Sequence, residues 1–309
     1  MLNNSIRILN FDDSVTRQKG LASSYGTKII DLRDIGPRVR FWMNSKEREE
    51  IARRTLSSDK SAITFLGSGD FHQMSNILIS AFTEPISVID FDFHPDWHIL
   101  PPRLSCGSWV VETLKNDNIL KYIMVGISSD DLSALSMQGG DFNALKDDRL
   151  EIYPCARKPS IVFFRKIPQN ISMEIRRGIF TSTIYWNELN SKNLMEFFLH
   201  ILKRLPAKKV YLTIDKDCLK SEHALTNWEG GRLPLEDLLL MLRLIKENLE
   251  IVGADIVGDY SDIRIKGVMK NIVSHFDHPK RFSAKNILGS YITKINEDTN
   301  LKLMHVLTS

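Results

Sequence analysis

Two apolar runs in this chain end in clustered carboxylates, and that pattern limits the folds open to it more than any other feature. Val88-Ile89-Asp90-Phe91-Asp92-Phe93-His94-Pro95-Asp96-Trp97 places Asp92, His94 and Asp96 at alternate positions where the run stops. Val210-Tyr211-Leu212-Thr213-Ile214-Asp215-Lys216-Asp217 closes in the same way. Short apolar runs of this kind read as buried strands. Ionised carboxylates at their ends must be neutralised, because an unpaired charge out of water is very costly. Two divalent cations would do so, with Asp92, Asp96, Asp215 and Asp217 setting four negative charges against four positive. The pattern predicts a two-metal site.

The rest of the chain alternates apolar runs with amphipathic segments. Ala62–Leu66, Ile86–Phe91, Tyr122–Ile127, Val210–Ile214 and Ile251–Val257 read as strands. His72–Phe82, the stretch around Leu194–Leu202 behind an Asn190-Ser191 cap, Leu235–Ile245 behind Pro234, and Ile263–His275 read as helices. Strands alternating with helices imply crossover connections and a mainly parallel sheet. Ligands of such sheets bind beyond the carboxyl ends of the strands, where the acidic clusters fall. Residues 1–60 show no clear pattern, and residues 128–185, with Gly139-Gly140 and several prolines, read as long loops. No break in composition calls for a second domain, so residues 1–309 are expected to form one.

With 41 basic against 38 acidic residues, a formal net charge of +3 makes no electrostatic case for nucleic acid or a membrane as partner. The basic stretch from Arg157 to Arg177 reads as a solvated surface. Three cysteines without C-x-x-C spacing, and no apolar leader, suit a reducing cytoplasm. The expected partner is a small-molecule substrate.

Spacing narrows the chemistry. Residues two apart in a strand lie roughly 6–7 Å apart on one face, so Asp215 and Asp217 can both reach a pair of ions about 3.5–4 Å apart. Asp92 and Asp96 would be about twice as distant in a continuing strand, so the chain must bend after Asp92, and Pro95 suits that exit. Carboxylates with one or two imidazoles favour Mn²⁺, Mg²⁺ or Fe²⁺ over a thiolate-type zinc site. A water bridging two such ions would lose a proton and become a nucleophile.

At this point the residues carry a resemblance. GSGDFH at 67–72, DFHPD at 92–96 and TIDKD at 213–217 resemble the three metal motifs of the arginase/agmatinase (ureohydrolase) family, which read GGDH, DAHxD and SxDxDxxDP in this order. The Leu225–Gly231 loop and Gly253–Val257 resemble the family's segments after the third motif, so residues 60–275 are covered. The resemblance implies a three-layer arginase-like α/β fold, with a mainly parallel central sheet flanked by helices, and two divalent ions, Mn²⁺ first. It implies His72, Asp92, Asp96 and Asp215 for one ion, and His94, Asp92, Asp215 and Asp217 for the other. His72 stands one residue late, because Phe71 is inserted; a helix-start histidine is the plain alternative. Asp70 takes a position that steadies a ligand or a helix start. The family also often assembles into trimers or hexamers, so a homo-oligomer is an open expectation.

The departures bear on function. Ser105-Cys106-Gly107-Ser108 resembles the family's S-H-G-T, so Cys106 stands where a histidine proton shuttle is expected; a plain small buried residue is the alternative. The glutamate that binds the guanidinium falls at Gly258, which leaves Asp259 as the nearest carboxylate. Lys220 and Ser221 replace the closing D-P. His98 is a candidate proton carrier and Arg103 a candidate partner for a substrate carboxylate, with solvated loop positions as the alternative for both. His275 and His278 read as surface residues.

A dinucleotide fold would explain Gly67-Ser68-Gly69 but lacks the third glycine and leaves the carboxylates idle. A metallophosphoesterase would need an H-x-H-x-D pattern that is absent. Two readings remain. One is a binuclear hydrolase of a linear C–N bond (amidine, ureido or amide) attacked by metal-bridging hydroxide, with plain arginine disfavoured. The other is a non-catalytic, metal-stabilised binding or regulatory relative.

Overall fold

A computed structural model describes residues 2, 5–24, 26–56, 60–99, 104–133, 135–155, 157–189, 193–278 and 286–309. Its strands are β1 (Ile6–Asn10), β2 (Thr27–Asp31), β3 (Ile63–Gly67), β4 (Ile86–Phe91), β5 (Ile119–Val125), β6 (Leu150–Tyr153), β7 (Ser160–Phe163), β8 (Met173–Arg177), β9 (Thr181–Trp186), β10 (Lys209–Asp215) and β11 (Glu250–Val257). Eight of them form one sheet in the order β2-β1-β3-β11-β10-β4-β5-β6. Every pairing in it is parallel.

Alternation along the strands feeds two apolar layers, as a period of two requires. In β4, Ile86 and Val88 join the core on one face, while Ile89 and Phe91 join the other. The second layer is closed by Leu235–Asn248, Leu194–Lys203 and the long helix Asn286–Thr308, which pack on one another. Leu238, Met241, Leu242 and Ile245 face inward at helical spacing, each fully buried. Burying side chains of this size stabilises by about 1.5–3 kcal/mol apiece. Helix Ser45–Thr55, on the opposite face, begins in a capping box between Asn44 and Glu47. The result is a helix–sheet–helix, three-layer α/β architecture.

Several expectations need correction. Residues 1–60 are structured: β1 and β2 extend the sheet beyond β3. The expected loops of 128–185 contain β6 and a separate antiparallel sheet in the order β7-β9-β8. Its strands are only four to six residues long, which hides their alternation. The last helix read from the sequence begins later, at Val268, and the 23-residue helix Asn286–Thr308 escaped notice. Its polar residues Asn296, Thr299 and Asn300 are buried, which blurs its apolar stripe. The Asn190-Ser191 cap and Arg103 lie outside the described residues. Among those described, no helix is long and apolar enough to cross a membrane.

Candidate metal centre

Register brings the two acidic clusters together. β10 pairs with β4 so that Ile214 lies opposite Phe91. Asp215 and Asp92, each the next residue, therefore leave adjacent strands, spaced about 4.8 Å apart, at the same level. Beyond them the chain turns on its own carboxylates. The His94 N–H donates to Asp92 Oδ1 at 2.7 Å, and the Asp217 N–H to Asp215 Oδ1 at 2.9 Å. Asp217 Oδ1 also accepts the Phe93 N–H at 3.1 Å, which ties the two clusters to each other. The bend expected after Asp92 is completed by Asp96 at φ 42°, and the Trp109 indole donates to Asp96 Oδ2 at 2.8 Å.

The inserted Phe71 does not displace His72. Gly69–Phe71 forms a 3₁₀ turn capped by Ser68, and Phe71 stacks on Phe11 at 4.8 Å in the core. His72 Nδ1 thereby lies 3.1 Å from Asp92 Oδ2, 3.3 Å from Asp96 Oδ2 and 3.6 Å from Asp215 Oδ2. On the other side of the ring, Nε2 is 2.9 Å from the Thr213 hydroxyl, which donates to Asp255 Oδ1 at 2.8 Å. A hydroxyl that donates to a carboxylate must accept from the ring, so the network puts a proton on Nε2 and turns Nδ1 to the carboxylates. Tyr211 and Ser75 also donate to Asp255, fixing it in turn.

His94 Nδ1 lies 3.0 Å from Asp217 Oδ2 and 3.9 Å from Asp92 Oδ1. Two groups of candidate ligand atoms result, His72/Asp92/Asp96 and Asp92/His94/Asp217, each within 4.8 Å and sharing Asp92. The electrostatics are severe. Burial, then Asp96 and Asp217, push Asp92 well above the ordinary carboxylate range; burial and Asp217 do the same to Asp215. Burial works against charge on His72, yet its contacts with Asp92 and Asp96 raise it well above its ordinary value. Burial likewise opposes charge on His94, which Asp217 raises. Asp92 Oδ2 is buried without a hydrogen-bond partner. An orphaned carboxylate oxygen among oxygen and imidazole donors fits divalent cations of the Mn²⁺ or Mg²⁺ type.

A cleft of about 480 Å³ opens over these strand ends. Beyond the cluster its walls include Phe41, Trp42, His98, Cys106, Asp131, Trp228 and Glu229. Asp131 lies 3.8 Å from His98 Nε2, and this contact raises the His98 pKa against the cost of burial. Burial opposes ionisation of Asp131, but His98 and the charge of His94 carry it down to about 2. Cys106 lines the same cleft, its N–H donating to the Phe41 carbonyl at 2.8 Å.

Asp259 does not reach the cleft. Gly258 adopts φ +89°, and a Cβ there would come within 2.3 Å of Asp215 Oδ1. The turn sends Asp259 inward, where it accepts from Lys216 Nζ at 2.8 Å and from Gln18 Nε2 at 2.7 Å. His278 is no surface residue either. It is buried, with Nε2 2.9 Å from Asp70 Oδ1, while His275 is exposed. Asp70 also accepts the Trp228 indole N–H at 2.9 Å and lies 3.3 Å from Arg40 Nε. Burial opposes its charge, but Arg40 and His278 hold it below the usual carboxylate range. Sequence reasoning missed Phe41, Trp42 and Asp131 as cleft residues and read Trp228 only as part of the Leu225–Gly231 loop. Only Asp131 left a signal, an acidic pair just past the end of a strand.

No protein-family model matches the chain. An uncharacterized protein of Thermotoga maritima is 27% identical over 257 residues, 82% of this chain and 79% of its own. Among solved structures, the arginase of Bacillus subtilis aligns with a TM-score of 0.57 at 13% identity, over 99% of this chain and 98% of that one. The arginase of Entamoeba histolytica, solved with L-ornithine, gives 0.56 at 14% identity, over 100% and 99%. The formimidoylglutamase of Bacillus subtilis gives 0.53 at 15%, over 98% and 86%. Identities this low speak for the fold: the chain has the arginase-like three-layer α/β fold.

Proposed function

We propose that this chain, folded as the arginases are, is a binuclear metal-dependent hydrolase of a linear C–N bond in an amidine, ureido or amide compound, and that plain arginine is not its substrate. The observation that carries the reading is the pair of ligand groups sharing Asp92 on the floor of one cleft. His72, Asp92, Asp96 and Asp215 would hold one ion, and His94, Asp92, Asp215 and Asp217 the other. Mn²⁺ suits this donor set. Bound there, the ions would supply Lewis acidity and lower the pKa of water.

The chain's own residues orient and exclude. Thr213 sets the tautomer of His72, Trp109 holds Asp96, and the Phe93 N–H holds Asp217. Such supporting contacts fix ligand direction and basicity. His98 is the cleft imidazole outside both ligand groups, and Asp131 orients it; we assign it the proton delivered to the leaving nitrogen. Cys106 lies within the same cleft and is the alternative carrier. A guanidinium would find no carboxylate at Gly258, and Asp259 is engaged with Lys216.

A non-catalytic, metal-stabilised relative is the second reading, favoured by Cys106 in place of an imidazole and by the withdrawal of Asp259. Metal content and turnover on a panel of guanidino, ureido and amide compounds separate the two. About two ions per chain with turnover supports the hydrolase. Bound metal with no turnover on any compound supports the relative, and no bound metal refutes both.

A further inference from the structure

The outer half of the cleft has a chemistry of its own. Once the four aspartates of the metal cluster are set against two divalent ions, the acids left in the lining are Asp130, Asp131 and Glu229. Among the described residues the lining contains no lysine or arginine. Asp130 is partly offset by Arg157, 3.1 Å away, and Asp131 by His98. Glu229 is exposed at the rim.

The same lining carries aromatic rings. Trp228 is half-buried, with its indole N–H committed to Asp70 Oδ1. Its ring packs edge-on to Phe41 at 6.2 Å, to His278 at 4.9 Å and to His94 at 5.5 Å. It lies so close over Gly69 that a Cβ there would sit 3.1 Å from Cδ1. Trp228 is thus held firmly beside the metal cluster, with half-buried Trp42 in the same lining. Aromatic faces beside carboxylates favour a desolvated cation, by ring quadrupole and by charge.

At the floor the requirement is the opposite. Gly258 packs behind Asp215, where a Cβ would come within 2.3 Å of Asp215 Oδ1, and it does not itself line the cleft. Two divalent ions held at the floor favour a neutral reacting group over a cationic one, because like charges repel.

Resting on the hydrolase reading, we infer that the substrate is an aliphatic amine acylated or carbamoylated on one nitrogen and carrying a second, protonated nitrogen. The neutral carbonyl carbon meets the metal cluster. The cationic tail lies among Trp228, Trp42, Asp131 and Glu229, which line the same cleft. Water supplies a hydroxyl to the carbonyl carbon, the C–N bond breaks, and the departing nitrogen takes the remaining proton. An acid and a diamine leave.

The test uses the full chain loaded with Mn²⁺ and three acetamides of equal length: N-acetyl-1,4-diaminobutane, N-butylacetamide and 4-acetamidobutanoate. Calorimetric binding of 1,4-diaminobutane and of uncharged butanol is measured alongside. The cationic compound is expected to exceed the neutral one in kcat/KM by roughly tenfold or more, with the anionic one last. Diamine binding should weaken about tenfold in Asp131→Asn and in Trp42→Ala, with the protein still folded by circular dichroism. Hydrolysis without tail preference, or a preference for the anionic compound (as Arg103 pairing with a carboxylate would give), overturns the subsite and leaves the hydrolase. Asp131-dependent diamine binding without hydrolysis of any amide keeps the subsite and overturns the hydrolase. Neither binding nor hydrolysis overturns both.

Discussion

Replacing Asp259 with alanine should be one of the most destabilising single changes in the chain. Lys216 Nζ and Asp259 Oδ1 meet at 2.8 Å with side chains 0% and 1% exposed. Burial already lowers the Lys216 pKa, and Asp259 is the main influence opposing that. Without the carboxylate, a buried ammonium is left uncompensated, which typically costs about 3–5 kcal/mol. The lysine can escape by losing its proton. From an ordinary pKa near 10.4 to pH 7 that route costs about 4–5 kcal/mol, so it caps the loss without relieving it. Gln18 and Asn300 also lose an acceptor, at about 1–3 kcal/mol if they find no other. The measurement is urea unfolding at pH 7 of both proteins in excess chelator, so that metal binding does not enter the difference. The double change Lys216→Met with Asp259→Leu should regain most of the loss, because an apolar pair of similar size can replace a buried ion pair. A cost below about 1 kcal/mol for Asp259→Ala, or a double variant no better than the single, would refute the reasoning.

Further outcomes follow from the same geometry. Asp215→Ala should carry fewer than two ions by elemental analysis and melt lower in Mn²⁺ than wild type, since ligand that binds only the folded state stabilises it; unchanged metal content would remove Asp215 from the site. Gly258→Glu should neither create urea release from arginine nor keep wild-type metal content, because its Cβ collides with Asp215 Oδ1; arginase activity in this variant would show that the turn relaxes at little cost. If His98 carries the proton, His98→Ala should lose roughly 10²–10⁴-fold in kcat while Cys106→Ser retains most of it, and the reverse pattern moves the role to Cys106.

Much of the candidate site was legible because the aspartates and histidines it gathers lie within a few residues of one another at strand ends. Asp92, His94 and Asp96 occupy one stretch, and Asp215 and Asp217 another, so alternation along a strand and its termination are local properties. The alternation of apolar strands with the amphipathic helix Leu235–Asn248 likewise announced a parallel α/β sheet. The short strands β7 to β9 were illegible for the converse reason, since four to six half-exposed residues carry too few alternations to stand out.

What the tertiary structure alone decided concerns where distant residues meet. The pairing of Ile214 with Phe91 is what sets Asp215 beside Asp92, and a slip of one residue would turn the cluster to the other face of the sheet. Asp70 read as a residue that steadies a ligand or a helix start; packing makes it the shared acceptor of Trp228 and His278, residues 158 and 208 positions away. Sequence left Asp259 as the nearest carboxylate to the position of Gly258, but it does not reach the cleft. The left-handed turn at Gly258 sends it inward instead, to a lysine 43 residues earlier in the chain. Local sequence thus determined which residues could bind metal. The direction of a buried charge is set by whichever partner the whole fold brings within reach, because leaving it unpaired costs more than turning it.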